Sequence, residues 1–189
     1  MFELAGVALT VQITQRANEA FDTMRSVASV KLDGLDGIVV VGGDGLFQEV
    51  MNGLLERPEG PERQLRIGHV PAGSTDAVAW SVNGSRCPVS AALRIILGDR
   101  MSLDVMNVQS EVEHYGKYSA CVAAYGFMGD IISISEKLRW CGPARYDIAG
   151  VLTFIAHNSH KARISYICAQ EPDKPRQECK APCQWCKVS

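Results

Sequence analysis

No apolar run in the 189-residue chain approaches the ~18–20 residues needed to cross a bilayer, which excludes an ordinary membrane-spanning helix. Positive charge is not in excess either: 19 Lys and Arg stand against 21 Asp and Glu, for a net charge of −2. The basic footprint of a general nucleic-acid binder is therefore missing. The opening residues, Met1-Phe2-Glu3-Leu4, lack the positive region and cleavage site of a signal peptide. There is no internal repeat and no low-complexity linker. What remains is a globular composition, 47% apolar, at a length that suits one large domain or one domain with part of another. These properties predict a cytoplasmic protein with no nucleic-acid partner.

Periodicity alternates between strand and helix. Val7, Leu9, Val11 and Ile13 are apolar at period two and predict a strand. Ala17, Ala20, Phe21, Met24, Val27 and Ala28 follow at helical offsets, with Thr14 or a neighbour as the N-cap. Ile38-Val39-Val40-Val41 is continuously β-branched, as in a parallel strand covered on both faces. Leu46, Val50 and Leu54 mark a helix, 67–70 a short strand, and 91–97 part of another helix. This order predicts an α/β layer domain. From about residue 103 the pattern changes. Residues 103–108, 118–125 and 163–169 look like strands, 149–156 like an apolar helix, and 171–189 like an irregular polar tail. The chain thus divides into a nucleotide-type domain over 1–100 and the start of a β-rich domain over 101–189, with the boundary near 98–104.

The most informative segment is Gly42-Gly43-Asp44-Gly45, between the β-branched run and the helix that carries Glu49 and Val50. Glycines leave backbone N–H groups open to a ligand, and N–H groups at a helix N-terminus attract anions. A carboxylate here would repel phosphate unless a cation bridges them or it acts as a base beside the phosphate. Both roles fit phosphoryl transfer to a hydroxyl. The same residues also suit a tight turn in which Asp44 caps a helix. The loop is neither a Walker A nor a Gly-x-Gly-x-x-Gly sequence. Pro71-Ala72-Gly73-Ser74-Thr75-Asp76 is a second strand-to-helix loop with hydroxyl and backbone donors. By itself it would be an ordinary capped helix; at the end of a neighbouring parallel strand it becomes the other wall of a nucleotide cleft.

Gly42-Gly43-Asp44-Gly45, then Glu49-Val50-Met51-Asn52-Gly53, then Pro71-Ala72-Gly73-Ser74, resemble the diacylglycerol-kinase-type catalytic fold of sphingosine, ceramide and diacylglycerol kinases. Thr14-Gln15-Arg16-Ala17-Asn18, Tyr125-Gly126-Phe127 and Ser135-Glu136-Lys137 belong to the same set. Gly73-Ser74-Thr75-Asp76, the block Arg139-Trp140-Cys141-Gly142-Pro143-Ala144-Arg145-Tyr146-Asp147, and Cys179, Cys183 and Cys186 look specifically like the ceramide kinases.

The resemblance implies an ATP-dependent kinase that phosphorylates the primary hydroxyl of ceramide at a membrane surface, with Mg2+ and stimulation by Ca2+. A sphingosine or diacylglycerol kinase, or a non-catalytic remnant, is the alternative. Asp44 would be the general base, and Gly42, Gly43 and Gly45 would lie between the lipid hydroxyl and the γ-phosphate. Thr14, Gln15, Arg16, Ala17, Asn18, Glu49, Gly73, Ser74 and Thr75 would line the ATP site, with Arg139 and Arg145 on its phosphates. Asp130 would face the lipid head group. The aspartate by which relatives recognise sphingosine aligns with Ile132, which suits a neutral ceramide amide. The resemblance also implies a strand and glycine loop ahead of Val7 and further strands beyond the chain, so the sequence is expected to be a piece of a longer protein.

Seven cysteines is an odd count, and Cys87, Cys121, Cys141 and Cys168 suit small buried hydrophobes. The spacing of Cys179, Cys183 and Cys186 also matches an iron–sulfur triplet, but its place at the chain's end argues against that use. A zinc site would need a fourth ligand, for which His157, His160 and Cys168 are candidates. Three reduced cysteines in an exposed tail remain the alternative.

Overall fold

The computed structural model describes residues 1–26, 32, 34–57, 65–110 and 115–163. The readings that fall on Val27, Ala28, 164–169, the tail 171–189, and Cys168, Cys179, Cys183 and Cys186 lie outside the described residues. In chain order the elements are α1 (Glu19–Arg25), β1 (Gly37–Gly42), α2 (Asp44–Leu55), β2 (Arg66–Pro71), α3 (Ala77–Asn83), α4 (Pro88–Leu97), β3 (Met106–Ser110), β4 (Tyr115–Ser119), α5 (Phe127–Lys137) and α6 (Arg145–Ala156). The architecture is mixed α/β.

β1 and β2 pair in parallel, with Ile38 opposite Ile67, Val40 opposite His69 and Gly42 opposite Pro71. Parallel pairing sets both strand ends, and the two loops that follow them, at one edge of the sheet. Val40 points into a core with Phe47, Val50, Met51 and Leu54 of α2, Ala20 of α1 and Val78 of α3. α4 covers the opposite face over β2, where a Cβ on Gly68 would lie 2.8 Å from the Ile95 side chain. That cover does not extend across β1. Val39 and Val41 stay 37% and 61% exposed, so the expectation of a strand buried on both faces holds on one face only.

The N-terminal segment departs further from the pattern. Val7, Leu9, Val11 and Ile13 are exposed, and no ladder forms over 7–13. Alternation shapes a strand's two faces but supplies no hydrogen-bond partner, and among the described residues β1 and β2 pair only with each other. Thr14 is not the cap of α1 either. Asn18 holds that place in the left-handed region, φ +60°, and Glu19 turns back to accept the N–H groups of Gln15 and Arg16. α1 crosses α2 closely because Gly53 has no side chain: a Cβ there would fall 2.6 Å from the Phe21 carbonyl oxygen.

Gly98, φ +80°, ends α4. β3 and β4 then form an antiparallel pair from Met106 opposite Ser119 to Ser110 opposite Tyr115. The strands expected over 103–108 and 118–125 are thus shifted and shortened. Residues 103–105 lie outside the ladder, and the chain turns after Ser119, whose hydroxyl donates to the Val122 carbonyl. α5 and α6 pack together through a short 3-10 segment (Arg139–Ala144). Their contact uses small side chains: Ser135, Ala149 and Thr153 are buried, the two hydroxyls donating to the carbonyls of Ile132 and Ala149.

Candidate active site between two glycine loops

The two strand ends converge on one carbonyl. Gly42 O accepts from the Ala72 N–H at 3.1 Å and from His69 Nε2 at 2.9 Å, which ties the first loop to the second. Gly43 is the N-cap of α2 in extended geometry, φ −87° and ψ 179°, and Asp44 is the first residue of the helix. The loops touch through glycine backbone, because a Cβ on Gly73 would lie 2.5 Å from Gly43 Cα and 2.8 Å from Asp76 Oδ1. Neither loop can carry a side chain at that contact without moving.

Asp44 does cap a helix, though not its own. Its Oδ2 accepts the Ala77 N–H at 2.9 Å and its Oδ1 the Val78 N–H at 3.0 Å, so the carboxylate bridges from α2 to the first turn of α3. Asp76, buried and left-handed at φ +53°, accepts the Gly73 N–H at 2.8 Å. Arg86 closes the arrangement, reaching Asp76 Oδ2 at 3.4 Å and donating to the Ser74 carbonyl at 2.9 Å. The backbone N–H groups of Gly43, Asp44, Gly45, Ser74 and Thr75 meet no acceptor among the described residues. Gly73, Ser74 and Thr75 are exposed at this edge. A rigid carboxylate beside free amides on two loops is a place where an anion and a proton acceptor can coexist.

One turn further along α2, Glu49 Oε2 is buried without a partner. Thr14, Gln15, Arg16, Ala17 and Asn18 are exposed ahead of α1. Arg16 bonds Asp22 at 2.7 Å, and its guanidinium is raised above its ordinary pKa, first by that bond and to a smaller degree by Glu19 and Glu49.

The remaining candidates gather elsewhere. Arg139 and Arg145 meet each other across Glu136, Arg139 Nε at 2.7 Å and Arg145 Nη1 at 3.7 Å. Arg139 is exposed. Arg145 is 14% exposed in its side chain, stacks on Tyr146 at 4.7 Å and leaves Nε unpartnered. Neither arginine bonds to a glycine loop among the described residues. Asp130, in the first turn of α5, is engaged by His160 at 2.8 Å and Asn158 at 3.4 Å, and the His160 bond holds its carboxyl below the usual range. Among the described residues no three His, Cys, Asp or Glu side chains converge as a metal cluster.

Two side chains to which sequence reading gives no role tie β4 to α2: Asn52 of the Glu49-Val50-Met51-Asn52-Gly53 motif and its neighbour Gln48. Asn52 Nδ2 donates to the Tyr118 carbonyl at 2.8 Å while Asn52 Oδ1 accepts the Tyr118 N–H at 2.8 Å. Gln48 Nε2 donates to the same carbonyl at 3.2 Å, and Gln48 Oε1 accepts the Ala120 N–H at 3.1 Å. Asp44, Gln48 and Asn52 stand at i, i+4 and i+8, a polar stripe on one face of α2 that the sequence does display. The stripe carries β4 to the site: Asp44 lies close enough to Cys121 to add to the burial that raises that thiol's pKa.

A family model described as "Diacylglycerol kinase catalytic domain" matches residues 1–108. The chain is 38% identical to ceramide kinase of Homo sapiens and 39% to that of Mus musculus; both alignments cover the whole chain. It spans 37% of the human protein's length and 38% of the mouse protein's. Sphingoid long-chain bases kinase 1 of Arabidopsis thaliana is also 39% identical, over 92% of the chain and 23% of that protein.

Proposed function

The chain belongs to the diacylglycerol kinase catalytic domain family, and on that premise we propose that it forms part of an ATP-dependent kinase that phosphorylates the primary hydroxyl of ceramide. The observation that carries the reading is the Asp44 carboxylate, fixed by two backbone N–H groups at the junction of two glycine loops with free amides. Each carboxylate oxygen retains a second acceptor site. Asp44 accepts the lipid hydroxyl proton as that oxygen bonds to the γ-phosphorus and the bond to the β-phosphate oxygen breaks, releasing ADP. The amides of Gly43, Gly45, Ser74 and Thr75 hold phosphate oxygens. The orphaned Glu49 Oε2 accepts from a nucleotide hydroxyl or amine. A Mg2+ ion bound with the nucleotide would be held mainly by phosphate oxygens and water, with Asp44 as the carboxylate nearest the loops, and would offset the charge between that carboxylate and phosphate.

Arg139 and Arg145 would turn toward the phosphates the donors that Glu136 does not use, among them the unpartnered Arg145 Nε. Asp130 would face the lipid head group: His160 and Asn158 both bond its Oδ2, which leaves Oδ1 to accept from the lipid. Ile132, where relatives carry the sphingosine-recognising aspartate, supports a neutral ceramide amide over a cationic amine. Residues 101–189 would be part of a β-rich lipid domain, working at a membrane surface. No helix among the described residues is long and apolar enough to cross one.

Labelled ATP offered with ceramide, sphingosine and diacylglycerol in parallel tests the reading. Ceramide should be phosphorylated fastest, and Asp44→Asn should lower turnover roughly 10²–10⁴-fold, the usual contribution of a positioned base. Faster transfer to another lipid would move the assignment to that lipid. Undiminished turnover in Asp44→Asn would remove the base.

A further inference from the structure

His69 sits on β2 directly opposite Val40, 6% exposed, with its ring 5.3 Å from that of Phe47. An aliphatic side chain would fill such a place without leaving a polar atom unpaired, whereas His69 Nδ1 is buried with no partner. The other ring nitrogen explains the choice. Nε2 lies 2.9 Å from Gly42 O, and a carbonyl only accepts, so Nε2 carries the proton.

The contact controls a peptide plane. The Gly42–Gly43 bond is trans, so the Gly43 N–H points away from the oxygen that His69 and Ala72 hold. With glycine on both sides, little steric hindrance opposes rotation of this peptide, which would turn the carbonyl oxygen outward in place of the N–H. Ala72 belongs to the exposed start of the second loop; His69 grips the same oxygen from within the sheet.

We propose that His69 is a positioning residue that locks the Gly42–Gly43 peptide with its N–H directed to a nucleotide phosphate oxygen. This rests on the nucleotide reading above. A flipped peptide would set a carbonyl against the phosphate, so losing the lock weakens nucleotide binding without touching the base.

The test compares His69→Leu with His69→Gln, whose terminal N–H can take the place of Nε2–H. Mg·ATP affinity would be measured by calorimetry and the Gly43 amide by NMR, on the 189-residue chain. His69→Leu should weaken Mg·ATP about tenfold, the worth of one impaired charge-assisted hydrogen bond, and shift the Gly43 amide resonance. His69→Gln should restore both. An unmoved Gly43 resonance, unchanged affinity in His69→Leu, or a glutamine variant as weak as the leucine one would overturn the role of His69. If His69→Leu does not fold, a tenfold loss in His69→Gln overturns it equally. Failure of the unsubstituted chain to bind Mg·ATP would instead overturn the nucleotide reading, and the phosphate half of the proposal with it.

Discussion

The glycine-loop region and the α5–α6 region solve the burial problem differently. In the first, Phe47, Val50, Met51, Leu54 and Val78 bury themselves against Val40, and the polar loop above them is cross-linked by Asp44, Asp76 and Arg86. In the second, the buried residues are small: Ser135, Ala149 and Thr153. Larger apolar side chains such as Val151, Phe154 and Ile155 are 59–73% exposed. The first region therefore holds its geometry with its own residues. Between the two regions stands β4, held to α2 by the amides of Gln48 and Asn52 on the backbone of Tyr118 and Ala120. Such a hinge of polar bonds is stronger in its dependence on single side chains than an apolar core, because an unpaired buried group costs more than a lost contact.

Breaking that link is the most severe test of the contrast. Asn52→Leu leaves the part-buried Tyr118 N–H without its acceptor and should cost about 1–3 kcal/mol in urea unfolding. A change below about 0.5 kcal/mol, the usual scale of a surface substitution, would mean that β4 is held by something other than α2. Next in size is the loop contact. Gly73→Ala forces the Gly43 and Gly73 backbones apart and should destabilise by about 1–2 kcal/mol, as over-packing does. Gly45→Ala, with open space around its Cβ, serves as the control on the same loop. Equal effects at the two positions would deny the close approach of the loops. On the other region, Val151→Ser should stay within about 0.5 kcal/mol, because little apolar surface is buried there to lose.

These differences track what the sequence could and could not disclose. β1, its glycine loop and α2 are legible because a β-branched run, three glycines and an apolar helical stripe lie within adjacent residues. The strand expected at 7–13 is not, since alternation is local while a ladder partner is remote. The same holds for Asp44: its residue type pointed to a cap or a base, yet its donors lie 33 and 34 residues away on α3. Gln48 and Asn52 reach even further, to Tyr118 and Ala120, and only their spacing of four and eight residues from Asp44 points to a shared face. The motif around Arg139 and Arg145 points both toward phosphate; the sequence displays the i,i+3 spacing of Glu136 and Arg139, while the reach of Arg145 to the same carboxylate appears only in three dimensions.

The smallest effect lies beside α5, where a hydrogen bond between Asp130 and His160 joins the helix to the segment after α6. Asp130 is held below the ordinary carboxylate range chiefly by its bond from His160, with Asn158 adding to it. A depressed carboxyl pKa contributes stability that is present above the unfolded value, near pH 4, and disappears as pH falls through the lower folded value. The unsubstituted chain and His160→Ala should therefore differ in urea midpoint at about pH 5 and converge as the pH falls through the lowered folded value of Asp130. NMR titration of Asp130 should show its midpoint rising toward the ordinary value in His160→Ala. A gap that persists unchanged into acid would mean that His160 acts through its ring contact with Tyr125, 5.7 Å away, and not through the carboxylate.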